Sequence, residues 1–258
     1  MRWEPGQYLA FGDLRLRPAI DLLARVGLGE PALIYDLGCG PGNTTALLRR
    51  RWPDARIIGI DASAEMLAKA RQASPDVDFR QADVAIWSPP EAPALIFSNA
   101  ALHWLSDHHG LFPRLFGMLA PGGVLAVQMP RNFEQPSHRA MAEAVAGGPW
   151  AERLRPLLRG APATAEPAVY WRLLAPLVAA LEIFEIEYLQ VLEGPDPVKE
   201  WTKGTALKPF LDALSGEERD RFEADYAARV AEYYPAEADG RTLFPFRRLF
   251  VIAARAGP

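Results

Sequence analysis

Apolar and polar positions change period in a regular order along the first half of the chain. Ala32–Leu37 is a short apolar run broken only by Asp36, and Arg56–Ile60, Val77–Gln81, Ala94–Ser98 and Val124–Gln128 are runs of similar length. Between them the apolar residues recur at helical spacing, over Thr44–Arg51, Ala64–Gln72 and His108–Leu119. Strand-length runs alternating with helix-length ones predict an α/β fold, a mostly parallel sheet with helices on both faces. Beyond the fifth strand the order breaks. Phe184–Leu192 and Leu249–Ala254 read as strands six and seven, and the connections before them, 129–182 and 193–248, far exceed the usual length of about 4–6 residues. Both carry helical patterns, at Pro167–Ala180 and Gly216–Tyr233. Ahead of the first strand, Asp13–Val26 reads as a helix with Pro18 in a first turn or kink. These patterns predict one domain over 1–258: an N-terminal lid at 1–28, a core at 29–128, and helical cap insertions at 129–182 and 193–248.

The stretch around which the elements are arranged is ALIYDLGCGPGNTT, Ala32–Thr45. An apolar strand ends in three glycines at alternate positions, Gly38, Gly40 and Gly42, followed by Asn43 as a helix cap. Glycine lets the backbone turn sharply and lie against a ligand. A dinucleotide fingerprint has a different spacing, G-x-G-x-x-G, and faces a pyrophosphate. Here Asp36 precedes the turn, and an acid there repels pyrophosphate and suits a ligand bearing a cationic amino group. The pattern resembles the first motif of the class I S-adenosylmethionine-dependent methyltransferases.

Two more acids fall in register with it. Asp61 ends the second run, nineteen residues beyond Gly42, near the ~20 expected of a carboxylate that accepts ribose hydroxyls. Asp83 follows the third run and suits an adenine amino group. Ligands of open α/β sheets lie outside the carboxyl ends of the strands, so Asp36, Asp61 and Asp83 mark one site. Ala62, Met66, Val84 and Asn99 are expected to complete it. Ser63 is expected to cap the next helix, with Met66 packing on the adenine.

Composition narrows the class. The chain has 258 residues, half of them hydrophobic, and a net charge of −4, which argues against a nucleic-acid surface. Its one cysteine, Cys39, lies inside the glycine turn and reads as a small filler; without a second cysteine no intramolecular disulfide forms. Met1–Gly12 lacks the apolar stretch of a signal peptide, and no run approaches the ~20 residues of a membrane span. The expectation is a cytoplasmic protein. No metal site is expected: His108 and His109 are adjacent, a poor geometry for joint chelation.

The later segments speak to the acceptor. SNAALHWLSDH, VLAVQMPRNFEQPSHRAM, GGPW, EWTKGT and FRRLFVIA, together with YDLGCGPGNTT, resemble the trans-aconitate 2-methyltransferase family over nearly the whole chain. The resemblance implies S-adenosyl-L-methionine as cofactor, S-adenosyl-L-homocysteine as product, and a small polycarboxylate esterified to its monomethyl ester. A tricarboxylate needs cationic partners, and arginine forks suit carboxylates. Candidates are Arg15, Arg17, Arg131, Arg241, Arg247 and Lys203, with Arg131 and Arg241 favoured by their neighbours Pro130 and Gly240. Tyr8, Trp104 and Trp150 are aromatic candidates for the same pocket. His103 is a candidate donor to the acceptor carboxylate, at a position where many relatives of this kind carry glutamine. Three alternatives stay open: a methyltransferase for another acid, such as a malonyl group on an acyl carrier protein; a nicotinamide-dependent oxidoreductase, disfavoured by the glycine spacing; and a non-catalytic cofactor-binding protein.

Overall fold

The computed structural model describes residues 16–158, 164–203 and 206–258. Seven strands form one sheet: β1 Leu33–Leu37, β2 Arg56–Asp61, β3 Asp78–Gln81, β4 Leu95–Asn99, β5 Val124–Pro130, β6 Ala180–Leu192 and β7 Thr242–Ala254. The helices are α1 Arg17–Arg25, α2 Asn43–Arg51, α3 Ala64–Ala73, α4 His108–Gly117, α5 Pro136–Ala146, α6 Ala151–Leu154, α7 Pro167–Leu174, α8 Pro197–Lys203, α9 Lys208–Asp212 and α10 Gly216–Tyr233. The strand order is β3-β2-β1-β4-β5-β7-β6. The first five strands pair in parallel, and β7 lies antiparallel to β5, between β5 and β6. The chain order reverses beside β1, where β2 leaves to one side and β4 to the other, and that is where α/β sheets bind their ligands.

Two compact units divide the chain. The first holds the described residues up to 130, then 164–186 and 248–258; the second holds 131–158 and 187–247 within the described set. Helix α7 therefore groups with the strands, although it falls inside the 129–182 segment read from the sequence as cap.

In the first unit, register decides what each face of the sheet carries. Leu33, Tyr35, Leu37, Ile58, Ile60 and Ile96 share one face and pack with Leu111, Phe112 and Leu115 of α4 and with Tyr170 and Leu174 of α7. On the other face Asp36 is in register with Gly59 and Phe97, and α1 packs on β5. There Phe79 fills the space over Gly59 and packs with Cys39, Leu67 and Ala70. The second unit has its own core, in which α5 packs on α10 and Trp150 meets the ring of Phe222 edge-on at 5.4 Å.

Several boundaries differ from those the pattern predicts. Strand β6 starts four residues earlier than Phe184, and β7 begins at Thr242 rather than Leu249. Pro245 lies within β7 without ending the strand. Asn43 is the first residue of α2 rather than its cap; Gly42, in the left-handed region at φ 91°, holds the cap position. Ser63 does cap α3, its Oγ accepting from Met66 N–H. Among the described residues, no helix is long and apolar enough to cross a membrane.

Candidate functional site

The turn after β1 is held by the neighbouring strand. The N–H groups of Gly38 and Cys39 both donate to the Ile60 carbonyl, at 2.7 and 3.0 Å. Gly38 has φ 70°, and a Cβ there would stand 2.1 Å from the Cβ of Ala101, so only glycine allows the β1 turn to pack against the turn after β4. Ala100, in that second turn, takes φ 53°, a strained value for alanine, and its N–H donates to the Gln128 carbonyl. At Gly40 a Cβ would meet nothing within 4 Å among the described residues.

Asp36 is buried under this turn, with 1% exposure. Its Oδ2 accepts from Thr45 Oγ1 at 2.7 Å, while Oδ1 has no hydrogen-bond partner among the described residues. Burial pushes its pKa up to about 7, against the Thr45 bond, which lowers it, and with the charge of Asp61, which raises it. A buried carboxylate with one oxygen unused is the group that a cationic ligand would satisfy. Asp61 is braced differently. Its Oδ2 accepts from Gly40 N–H and its Oδ1 from Ser63 N–H, each at 2.8 Å. Two backbone donors fix the carboxylate plane, and each oxygen retains a lone pair for a ligand hydroxyl.

The third acid sits in a clamped loop. Asp83 Oδ1 accepts from Ala85 N–H, and the Arg114 guanidinium of α4 donates to the carbonyls of Val84 and Ala85. Gln81 Nε2 donates to the Ala62 carbonyl, tying the β3 end to the turn after Asp61. Met66 is partly exposed on the first turn of α3. Asn99 is the last residue of β4, and its Oδ1 is buried without a hydrogen-bond partner. His103 is buried beside Trp104 on the 3-10 turn Leu102–Trp104, their ring centroids 5.0 Å apart; Trp104 itself is 63% exposed.

That turn rests on a buried relay the sequence reading passed over. Ala165 N–H donates to the Tyr170 hydroxyl, which lies 2.7 Å from His108 Nδ1; His108 Nε2 lies 2.9 Å from the Leu102 carbonyl. The carbonyl can only accept, so His108 carries its proton on Nε2 and Tyr170 donates to Nδ1. Burial lowers the His108 pKa and keeps the ring neutral. Cys39 is buried as well, and burial with the charges of Asp36 and Asp61 raises its thiol pKa far above neutrality. It stays protonated and packs.

The acceptor-side candidates are placed less uniformly. Tyr8 and Arg15 lie outside the described residues. Arg131 directly follows β5, its N–H donating to the Arg247 carbonyl at 3.0 Å. Trp150 is buried in the second unit, with its indole N–H donating to the Ala144 carbonyl. Lys203 pairs with Glu223 and Glu200, and the exposed Arg241 with Asp239 two residues away. These four belong to the second unit, whereas the cofactor candidates and His103 and Trp104 belong to the first. One polar contact went unread, that of Thr45. Thr45 stands in the quoted motif, but only the folded turn shows its hydroxyl on Asp36. Among the described residues no group of three or more His, Cys, Asp or Glu side chains could hold a metal ion.

A β1 glycine turn with an acid at the end of each of the first three strands, on a sheet whose seventh strand enters antiparallel, defines a class I methyltransferase. A family model described as a methyltransferase domain matches residues 34–123. Solved structures agree on the fold: the phosphoethanolamine N-methyltransferase 2 of Haemonchus contortus, with S-adenosylhomocysteine bound, superposes with a TM-score of 0.54 at 16% identity, over 93% of this chain and 52% of that one. Coclaurine N-methyltransferase superposes with a TM-score of 0.53 at 12% identity, over 93% and 72%. The trans-aconitate 2-methyltransferase of an Azoarcus species is 51% identical over 98% of this chain and 99% of its own length, and that of Methylobacterium radiotolerans is 48% identical over 98% of each. The chain belongs to the trans-aconitate 2-methyltransferase family.

Proposed function

We propose that the protein esterifies one carboxylate of trans-aconitate to the monomethyl ester. The observation that carries the reading is Asp36, a buried acid with an unused oxygen beneath a glycine turn, in a chain about half identical to proteins of that name. Asp36 takes the cofactor's amino group, Asp61 the ribose hydroxyls, and Asp83 with Val84 the adenine edge. Gly38, Gly40 and Gly42 bring backbone close to the ligand, while Ala62, Met66 and Asn99 complete its surroundings. When bound, S-adenosyl-L-methionine supplies a methyl group on a positively charged sulfur, which a carboxylate oxygen displaces to leave an ester and S-adenosyl-L-homocysteine.

The residues need do little acid–base work, because a carboxylate is already ionised near neutral pH. Rate comes from alignment and from excluding water. His103 and Trp104 follow β4 and are proposed to meet the acceptor, His103 as a hydrogen-bond donor and Trp104 as an apolar wall. Arg131 is the favoured cation for a carboxylate that does not react. Lys203 and Arg241 are further candidates; Lys203 pairs with Glu223 and Arg241 with Asp239.

The test is incubation with S-adenosyl-L-methionine and either trans-aconitate or a malonyl group on an acyl carrier protein, followed by mass analysis. One added methyl on trans-aconitate supports the reading. Methyl on the acyl carrier alone replaces it with the other acid, and cofactor binding without transfer to any acid leaves a non-catalytic binder.

A further inference from the structure

We infer that Gln128 is an acceptor-binding residue: its side-chain amide, paired across the sheet with that of Asn99, donates a hydrogen bond to the carboxylate that is methylated. This rests on the functional reading above. Strand β5 reads VLAVQMP, and Gln128 is its only polar side chain. It is fully buried, at 0% exposure, yet among the described residues neither its Nε2 nor its Oε1 has a hydrogen-bond partner. A buried amide with both ends unused costs stability, and native proteins seldom keep one without a use. An apolar residue would fit better by packing alone, since Gln128 lies in register with Phe250 on β7.

The neighbour on the other side is what makes a site of it. Gln128 is in register with Asn99 on β4. Side chains in register on adjacent strands leave the same face, and Asn99 Oδ1 is also buried and unpartnered. No hydrogen bond joins the two amides. Asn99 shares its face with Phe97, which is in register with Asp36, which is in register with Gly59, two residues before Asp61 on the same face. The amides thus stand on the face of the sheet that carries both cofactor acids, at the carboxyl ends of the next two strands. Asn99 as a residue is only partly buried, while the amide atoms named above are buried.

Amides suit the reacting carboxylate for a chemical reason. It must be oriented without losing its electron density. A guanidinium would neutralise it and weaken it as a nucleophile. A neutral N–H holds one carboxylate oxygen and leaves the other with its lone pairs directed at the methyl carbon. In the step, the free oxygen forms the O–CH3 bond, the C–S bond breaks with its electron pair going to sulfur, and no proton moves.

The test compares the full-length protein with Gln128→Met and Gln128→Glu, both close to glutamine in size. Three quantities are measured: S-adenosyl-L-homocysteine affinity by calorimetry, KM and kcat for trans-aconitate, and trans-aconitate binding to the homocysteine complex. With Gln128→Met, cofactor affinity is expected to stay within about twofold, while KM for the acid rises roughly 10- to 100-fold, the worth of a hydrogen bond to a charged group. Gln128→Glu, which sets an anion against an anion, is expected to lose more. Unchanged KM and acid binding in both variants, with wild type active on trans-aconitate, overturn this inference alone. Equal losses for cofactor and acid in Gln128→Met also overturn it, by making the residue structural. A wild type that neither binds nor esterifies trans-aconitate overturns the functional reading and this inference with it.

Discussion

At the scale of single residues, Asp36 is the group whose behaviour the environment changes most. Its pKa, raised from 3.8 to about 7 in the fold, makes it a proton store beneath the glycine turn. A raised folded value means that the protonated acid favours the native state. Its contribution is present in full below the unfolded value and is lost as pH climbs through about 7. A ligand ammonium reverses the preference, since it favours the ionised acid. S-adenosyl-L-homocysteine binding near pH 6 is therefore expected to release a proton from Asp36, and affinity to rise with pH and level off above about 7. Calorimetry in two buffers of different ionisation enthalpy measures the release. Asp36→Asn is expected to abolish it and to weaken binding about tenfold or more. Proton release that persists in the variant would assign the titration to another group. Asp36 and Asp61 could be located in the sequence because each closes an apolar run beside the glycine turn. Thr45 could not, because its hydrogen bond to Asp36 exists only once the turn is folded.

At the scale of elements, the turn carrying His103 and Trp104 is fixed from beneath by α4 and α7. Tyr170 on α7 donates to His108 on α4, and His108 to the Leu102 carbonyl, all of it buried. The sequence reading weighed His108 only as a metal ligand, because the sixty-two residues separating it from Tyr170 carry no local sign that the two rings meet. Tyr170→Phe is expected to cost about 1–3 kcal/mol, since it leaves a buried ring nitrogen and the Ala165 N–H unpaired. Burial lowers the His108 pKa, so this group's stabilisation is present above its unfolded value of 6.5 and is lost as pH falls below it. That is the opposite direction from Asp36. Thermal unfolding of the cofactor-free protein between about pH 7.5 and 5 separates the two, because Asp36→Asn removes one trend and Tyr170→Phe perturbs the other. A Tyr170→Phe protein with an unshifted Tm would mean the relay does not support the turn.

At the scale of the whole molecule, two compact units divide the chain, and the candidate acceptor residues Arg131, Trp150, Lys203 and Arg241 belong to the second. Trp150 illustrates why the acceptor side resists reading. In sequence it is an aromatic beside two glycines, as binding aromatics often are. In the fold its ring packs on Phe222, its N–H is satisfied, and Gly148 is glycine because a Cβ there would lie 2.3 Å from the indole. Trp150→Ala is expected to destabilise the second unit by about 3–5 kcal/mol, read as a lowered Tm, whereas Trp150→Phe is expected to leave KM for trans-aconitate within about twofold. A large rise in KM for a well-folded Trp150→Phe would restore the tryptophan to the acceptor pocket.

Sequence by itself determined the succession of strands and helices in the first half, the glycine turn, and the acids at the strand ends. These are local properties, set by the period of apolar residues and by the spacing of a few polar ones, and neighbours in the chain suffice to specify them. It also placed β7 after two long helical segments, although not where that strand starts. Tertiary structure alone decided which face each strand end presents, which acid keeps an unused oxygen, and which amide is buried with no partner. Those properties arise from strand register and from packing between residues tens of positions apart, where hydrogen bonds are completed or left open by groups that no local pattern can pair.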